Sequence, residues 1–428
     1  MSTTDNDQKR LDVYCNFGIE RLHVGVLAQR EGSIYFEYSD NFIETGIEIS
    51  PLKLPTKTKF QKCNSPFEDL PGVFYDTLPD GWGRLLMERL LRSKGIHPSR
   101  ITPLDRLAFV GLNGLGALEY EPATSKPDTR ELSLDEIAGY ARNILDEELA
   151  GTPKEVLEAL LHLNGSSAGA RPKVLLNRCS DGTMKCFPMT SGGARVCPDE
   201  ISEPWMVKFP NTQDGKDSGA LEYVYSIMAR NSGIEMPETA LLPASSGPGY
   251  FGIKRFDVFG TERFHMHTAC GILEADYRVP ALDYQDLVKL TYILTRNQQE
   301  VEKVYRLAVF NVLAHNRDDH GKNFTFLMDK TGEWTFSPAY DLTYSHGPNG
   351  EQSTMVMGEG RSPGEEHLLA LAAVANVDVK KAVRIIEQVR DSLSEFEKLA
   401  VEYEVSAGLR DEVVSLLGLH ANPQKFCK

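Results

Sequence analysis

The chain has 428 residues, of which 41% are hydrophobic and 25% are charged, a composition typical of a globular protein of two or three domains. Its net charge of −15 makes nonspecific binding of the chain alone to nucleic acid unfavourable. There is no apolar run of about 18 residues and no apolar signal core in "MSTTDNDQKRLDVYC", so we expect a cytoplasmic protein without membrane contact.

Cysteine and histidine patterns argue against a metal centre built from these residues. The seven cysteines form no CxxC pair, which predicts reduced thiols that serve mainly in packing. His265 and His267 alternate in "HMH". Alternate histidines on one strand are more often surface polar residues than ligands, so a metal site there is the less favoured alternative.

The first 130 residues predict a β-rich region. Residues 11 to about 50 alternate as strands do, with a hairpin turn at 30–32. "LPDGWGRLLMERLLRSKG" predicts a break at 79–81 and then a helix that ends at Gly95. "LAFVGLNGLGALEYEP" predicts two short strands around a glycine-rich turn, without the spacing of a dinucleotide site. Residues 122–131 are the best linker candidate.

The stretch "GSSAGARPKVLL", residues 165–176, begins with the G-x-S-x-G pattern of a serine-hydrolase nucleophile elbow. An elbow needs a strand before the serine and a helix after it. Here Thr152 to Glu155 predicts a capping box that starts a helix, and 174–176 predicts a strand that turns at 181–182 towards a partner near 184–187. The order of helix, loop and strand excludes the elbow.

Two readings of the loop remain open on this stretch alone. A Walker-type P-loop is excluded, because it would need glycine where Ala170 stands. The small residues at 165–170 are compatible with a loop that wraps phosphate, and also with an ordinary connection.

A second constellation favours phosphate. In "AHNRDDHGKNFTFLMDKTGEWTFSPAYDLTYS", an apolar helix leads into Asp318, Asn323 follows five residues later, and Asp341 follows a predicted hairpin. This is the layout of a phosphotransfer site: one carboxylate orients a hydroxyl, and an amide oxygen and a second carboxylate hold Mg²⁺. Upstream, "EPWMVKFP" places Lys208 on a strand, and Glu222 lies on a following helix as its possible partner.

Taken together, the motifs "SSAGARPKVLL", "VKFP", "KRFD", "NRDDHGKNF" and "SPAYDLTYS" resemble the HipA family of bacterial serine/threonine kinases, the toxins of toxin–antitoxin pairs. The resemblance covers nearly the whole chain. It implies that Asp318 is catalytic, that Asn323 and Asp341 hold Mg²⁺, and that Ser166, or alternatively Ser167, is autophosphorylated. It also implies an ATP site whose predicted residues are Ser166, Ser167, Ala168, Gly169, Ala170, Lys173, Lys208, Lys254, Phe256 and His320.

The predicted fold is α+β and resembles the two-lobed protein kinases. We expect a β-rich N-terminal region at 1–130, an N-lobe with the phosphate loop and the ATP lysine at 131–257, and a helical C-lobe at 258–428. The resemblance also implies a basic helix-turn-helix antitoxin as partner, and contact with DNA only through that antitoxin. It further implies a protein substrate, such as an aminoacyl-tRNA synthetase. The alternatives are a small-molecule phosphotransferase and an inactive nucleotide-binding module that bridges a DNA-binding partner. Arg171-Pro172 replaces the glutamine-containing pair of the best-known branch, which indicates a divergent member.

Overall fold

The computed structural model describes residues 9–124, 132–146, 152–167, 169–185, 202–211, 215–279 and 281–419. They form two compact units, each assembled from separate stretches of chain. The first unit comprises the described parts of Met1–Thr212, Ile253–Asp276 and Phe324–Ser337. The second comprises the described parts of Gln213–Gly252, Tyr277–Asn323 and Pro338–Lys428. The division along the chain at residues 130 and 257 therefore differs from the division in space, and it stays a prediction.

The secondary structure is mixed, as the α+β prediction requires. The strands are β1 Lys9–Asn16, β2 Arg21–Arg30, β3 Ser33–Tyr38, β4 Phe60–Lys62, β5 Leu118–Glu121, β6 Lys173–Cys179, β7 Met184–Lys185, β8 Ser202–Lys208, β9 Thr239–Leu242, β10 Tyr250–Lys254, β11 Val258–Phe259, β12 Glu262–Arg263, β13 His265–Thr268, β14 Leu282–Asp283, β15 Thr325–Met328, β16 Trp334–Phe336 and β17 Thr354–Met355. The helices are α1 Asp40–Thr45, α2 Gly72–Tyr75, α3 Gly81–Ser93, α4 Pro103–Val110, α5 Leu134–Leu145, α6 Lys154–Asn164, α7 Ser218–Asn231, α8 Ala269–Leu273, α9 Tyr284–Thr295, α10 Gln298–Leu313, α11 Glu365–Val374, α12 Val379–Ser394, α13 Phe396–Glu402 and α14 Ala407–Leu416.

The first unit opens with an antiparallel sheet in the order β4-β3-β2-β1-β5. The hairpin predicted at 30–32 is confirmed. Arg30 pairs with Ser33, and Glu31 and Gly32 both have positive φ, as a tight two-residue turn between twisted strands requires. Alternate residues of β1 and β3 face the core, which explains the alternation in the sequence.

Two helix starts differ from the predictions. Residues 107–110, predicted as a strand, belong to α4, because Thr102 and Asp105 form a reciprocal capping box with Pro103 in the first turn. The capping box predicted at Thr152–Glu155 is wrong. Helix α6 begins at Lys154 with Pro153 as its N-cap, one residue later than expected, and the cap has no side-chain hydrogen bond.

Histidines 265 and 267 are fully buried on β13 rather than at the surface. His267 Nε2 lies 3.0 Å from Ser50 Oγ, and its Nδ1 lies 2.7 Å from Asp76 Oδ2. Asp76 also accepts bonds from the backbone and hydroxyl of Thr268. This Ser–His–Asp chain resembles a hydrolase triad in its connections, but a substrate would have no access to a serine that is 1% exposed. The chain of bonds is therefore structural, and it fixes β13 against the turn after α2.

The second unit is mostly helical and is built around α10, as predicted from its apolar pattern. Tyr225 of α7 packs edge-to-face on Phe310 of α10 and on Phe396 of α13. Its hydroxyl donates to the carbonyl of Ala314, where α10 ends. The last described helix, α14, contacts an earlier segment of the chain: its Glu412 accepts a 2.9 Å bond from the hydroxyl of Tyr344.

Two predictions from composition are tested directly. Among the described residues four buried cysteines form no disulfide bond: Cys15, Cys63, Cys179 and Cys270. None of the described helices combines the length and the apolar character that crossing a bilayer requires.

Candidate functional site

The loop between α6 and β6 is held from the N-terminal region. Gly165 ends α6 with φ +57, and a methyl group at this position would lie 2.5 Å from the carbonyl oxygen of Asn113. Ser166 is buried, and its Oγ accepts a 2.7 Å bond from the backbone of Leu115. Ser167 is also buried, and its hydroxyl donates to the carbonyl of Asn164. The predicted order of helix, loop and strand is confirmed.

The other half of the loop is bonded to the start of α3. Asp80 accepts a hydrogen bond from the backbone N–H of Gly169, and the backbone N–H of Trp82 donates a 3.0 Å bond to the Gly169 carbonyl. The backbones come so close that a methyl group on Gly81 would lie 2.3 Å from that carbonyl oxygen. Asp80 is the N-cap of α3, yet it makes no cap bond to its own helix. Its carboxylate orients the loop instead. Ala168 lies outside the described residues, and Ala170 is exposed.

Two buried lysines adjoin this loop. Lys173 begins β6 and Lys208 ends β8, and the two are direct partners in the antiparallel register. Residues that pair in this way project from the same face of the sheet with neighbouring side chains. A methyl group on Gly169 would lie 2.6 Å from Lys173 Nζ, so that ammonium lies against the loop backbone. The strand position predicted for Lys208 is confirmed, and the structure brings Lys173 beside it.

Lys254 lies elsewhere on the same unit. It forms an ion pair with Glu203, near the start of β8, which lowers the pKa of the Glu203 carboxyl. Glu203 and Lys208 are five residues apart on one strand, roughly 16 Å. Lys254 and the half-buried Phe256 are thus placed towards the opposite end of β8 from the lysine pair, and their predicted contact with ATP stays a prediction.

The second unit carries the other predicted residues. After α10, residues 317–320 are neither helix nor strand. The Asp318 side chain is 60% exposed. Asn323 donates a 2.7 Å bond from Nδ2 to the Asp318 carbonyl, which leaves the amide oxygen directed away from that contact. His320 Nε2 lies 3.9 Å from Asp318 Oδ1. The buried Nδ1 of His320 makes no hydrogen bond among the described residues.

Asp341 is placed beside this loop by two cross-links. Ser345 N–H donates to the His315 carbonyl at the start of the loop, and Tyr340 donates a 2.6 Å bond to the Lys322 carbonyl at its end. Asp341 lies between these anchors with φ +57, a left-handed conformation that is uncommon outside glycine and is found at functional positions. The structure therefore aligns Asp341 with the segment that holds Asp318 and Asn323.

The residue after Asp318 is a buried acid with a perturbed pKa. Asp319 is fully buried, and burial raises the pKa of its carboxyl to about 7. Its Oδ2 accepts a 2.7 Å bond from the hydroxyl of Tyr284, which favours the ionised form and limits the rise. The sequence prediction assigned no role to Asp319, because the five-residue spacing to Asn323 points to Asp318 instead.

We expect Asp319→Asn to change how stability depends on pH. The folded-state pKa of Asp319 is raised, so the folded protein keeps a proton that the unfolded chain has already lost between about pH 4 and about pH 7. The wild type therefore loses stability from this group as pH rises through that window, whereas asparagine does not ionise. The free energy of unfolding of Asp319→Asn minus that of the wild type should rise across the window and level off above it. Denaturant titrations at several pH values measure this difference, and a constant difference would contradict the burial of an ionisable Asp319.

Glu222, the possible partner of Lys208, lies on α7 and is 2% exposed. Its place on a helix is confirmed. It belongs to the second unit and Lys208 to the first, so their pairing stays a prediction. Within the described residues, no cluster of three or more His, Cys, Asp or Glu side chains could hold a metal by itself. Mg²⁺ bound together with a nucleotide needs only one or two protein carboxylates, and Asn323 and Asp341 fit that smaller donor set.

Comparison with known proteins shows the family and the fold of the chain. A family model described as the HipA-like C-terminal domain matches residues 165–396, and one described as the HipA N-terminal domain matches residues 11–121. Two curated proteins of Sinorhizobium fredii are similar: "Putative kinase Y4mE" is 29% identical over 341 residues, 74% of each chain, and "Putative kinase Y4dM" is 24% identical over 420 residues, 92% of each chain.

A solved structure, the Shewanella oneidensis toxin–antitoxin complex of HipA, HipB and operator DNA, has a chain that aligns with 96% of this one. The alignment covers 95% of that chain with a TM-score of 0.66 and 17% identity, so the likeness shows a shared fold. The C-terminal model alone spans more than half of the chain. With both domain models matched in order, the chain belongs to the HipA family.

Proposed function

We propose that the protein is an ATP- and Mg²⁺-dependent serine/threonine protein kinase and the toxin of a toxin–antitoxin pair. The observation that carries the proposal is the lysine pair of Lys173 and Lys208 against the backbone of the small-residue loop. Two buried ammonium groups on one face of a sheet favour an anionic ligand. The kinase names of two relatives point in the same direction.

Each predicted residue has a role in this proposal. The two lysines and the loop backbone bind the phosphates. Asn323 and Asp341 hold Mg²⁺, which when bound neutralises charge on the phosphates. The exposed carboxylate of Asp318 orients the acceptor hydroxyl and takes its proton. The acceptor oxygen then bonds to the γ-phosphorus, the bond from that phosphorus to the bridging oxygen breaks, and ADP leaves. The partnerless Nδ1 of His320 offers a further polar contact to the nucleotide.

The direct test is phosphate transfer by the purified full-length chain. With γ-labelled ATP and Mg²⁺, we expect label on protein serine or threonine and none when EDTA removes the metal. A panel of amino sugars and choline-like compounds tests the small-molecule alternative, and a preference for one of them would replace the protein-kinase proposal. ATP binding without any turnover would favour a nucleotide-binding module that only bridges a partner.

The proposed partner is a basic, DNA-binding antitoxin, by analogy with HipB in the solved complex. A net charge of −15 suits a basic protein partner and disfavours direct contact with DNA. Salt-sensitive binding of the isolated chain to operator DNA would contradict this. The protein substrate, for which the family resemblance points to an aminoacyl-tRNA synthetase, is best sought by labelling a lysate with the purified kinase.

Autophosphorylation of the loop is expected to switch the enzyme off. A phosphate on Ser166 would add about −1.5 to −2 charges at a buried site whose hydroxyl is already hydrogen-bonded, so the loop could not keep its present position. We therefore expect loss of ATP binding after modification, and modification in trans. Mass spectrometry after incubation with ATP and Mg²⁺, with Ser166→Ala and Ser167→Ala compared, identifies the serine. Normal ATP affinity of the modified protein would contradict self-inactivation.

A further inference from the structure

The exposed carboxylate of Asp318 lies in a segment outside any helix or strand. Residues 317–320 belong to no helix or strand. A reacting group displaced by about 1 Å can lose about 10²-fold in rate, so the direction of Asp318 must be fixed by its neighbours. The buried side chain next to it is that of Asp319.

Asp319 is hydrogen-bonded to three separate segments of the second unit. Its carboxylate accepts bonds from the Tyr284 hydroxyl at 2.7 Å, from Gln352 Nε2 at 3.1 Å and from the Thr354 backbone N–H at 3.1 Å. The Thr354 hydroxyl also donates to the Asp319 carbonyl. These partners lie at the start of α9, in the segment before β17, and in β17 itself. Asp319 is thus bonded through both its side chain and its backbone.

A second branch connects this anchor to α10. The Tyr284 hydroxyl accepts a 2.9 Å bond from Asn311 Nδ2, and Asn311 Oδ1 accepts a 2.9 Å bond from Asn316 Nδ2. The Asn316 backbone also donates to the Asn311 carbonyl. All of these side chains are buried. The Tyr284 hydroxyl therefore joins the end of a rigid helix to Asp319 through one continuous chain of bonds.

We propose that Asp319 is the positioning residue of the catalytic loop, and that Tyr284 joins it to α10. Each residue has only two soft backbone dihedrals, so fixing Asp319 inward restricts the directions open to the adjacent Asp318. Asp319 does not touch the reactants. The role in phosphate transfer rests on the proposed kinase function, whereas the fixed loop conformation does not.

Tyr284→Phe tests the proposal with the smallest change. The variant keeps the ring and removes the hydroxyl between Asn311 and Asp319. We expect kcat to fall about 10- to 100-fold with the KM for ATP within about twofold, because the acceptor side is displaced and the nucleotide side is not. Asp319→Asn, which keeps the shape and loses acceptors, should show the same split. Ser392→Ala is the matched control, since it removes a buried hydroxyl bond to Met228 elsewhere in the unit, and we expect it to leave kcat unchanged.

Hydrogen–deuterium exchange of residues 316–323 gives a readout independent of activity. Faster exchange there in Tyr284→Phe and Asp319→Asn, but not in Ser392→Ala, supports the positioning role. If the wild type transfers no phosphate, the proposed function fails while the exchange result still decides whether Asp319 fixes the loop. Unchanged exchange in both variants overturns the inference, and so does an unchanged kcat in both when the wild type is active.

Discussion

Asp318→Ala is expected to lower the rate of phosphate transfer about 10²–10⁴-fold while ATP affinity stays close to that of the wild type. The Asp318 side chain is 60% exposed. In the proposed mechanism its carboxylate serves the acceptor hydroxyl, whereas the phosphates are bound by the lysines buried on β6 and β8. Single-turnover rates and equilibrium ATP binding, both measured on the full chain, separate the two effects.

The control for this variant is Asp391→Ala, which removes an exposed aspartate from α12. Asp318→Asn, which keeps the shape of the side chain and loses only its basicity, should be nearly as slow as Asp318→Ala. A loss of ATP affinity as large as the loss of rate would show that Asp318 serves the nucleotide, and the assignment would then be wrong.

Asp341→Asn is expected to weaken Mg²⁺-dependent ATP binding by at least about 10- to 100-fold and to reduce turnover with it, because a charged ligand becomes neutral. Asparagine tolerates the left-handed backbone of this position, so the variant tests charge without adding strain. ATP binding titrated at several Mg²⁺ concentrations measures the effect.

Asn323→Ala is the companion variant, and it should act in the same direction but more mildly, because the lost ligand is neutral. Nucleotide affinity that responds to Mg²⁺ in Asp341→Asn as it does in the wild type would rule out metal ligation by Asp341.

The sequence predicted those parts of the site whose position follows from a pattern of neighbouring residues. Lys208 could be placed on a strand because Trp205 and Val207 alternate with Met206 just before it, and both are buried as that pattern requires. The loop after α10 could be recognised because spacing alone relates Asp318 to Asn323. The family resemblance is likewise confirmed by both domain models.

The parts that were missed depend on contacts between distant residues. Asp80 and Gly169 are 89 positions apart, and nothing in "LPDGWG" marks Asp80 as more than the start of a helix. The sequence identifies Asp319 only as the neighbour of the proposed catalytic residue, because its buried contacts come from Tyr284 and Thr354, 35 positions away on either side. Local signals also misled where glycines followed "LAFV", since the capping box that starts α4 lies upstream of them.

Helix α14 contacts the segment that follows the proposed metal ligand Asp341. The family model ends at residue 396, whereas Glu412 of α14 binds Tyr344, three residues after Asp341. A chain shortened to the end of that family-model match would lose this tether. Loss of α14, the last described helix, would remove the bond that holds Tyr344, close after the proposed metal ligand.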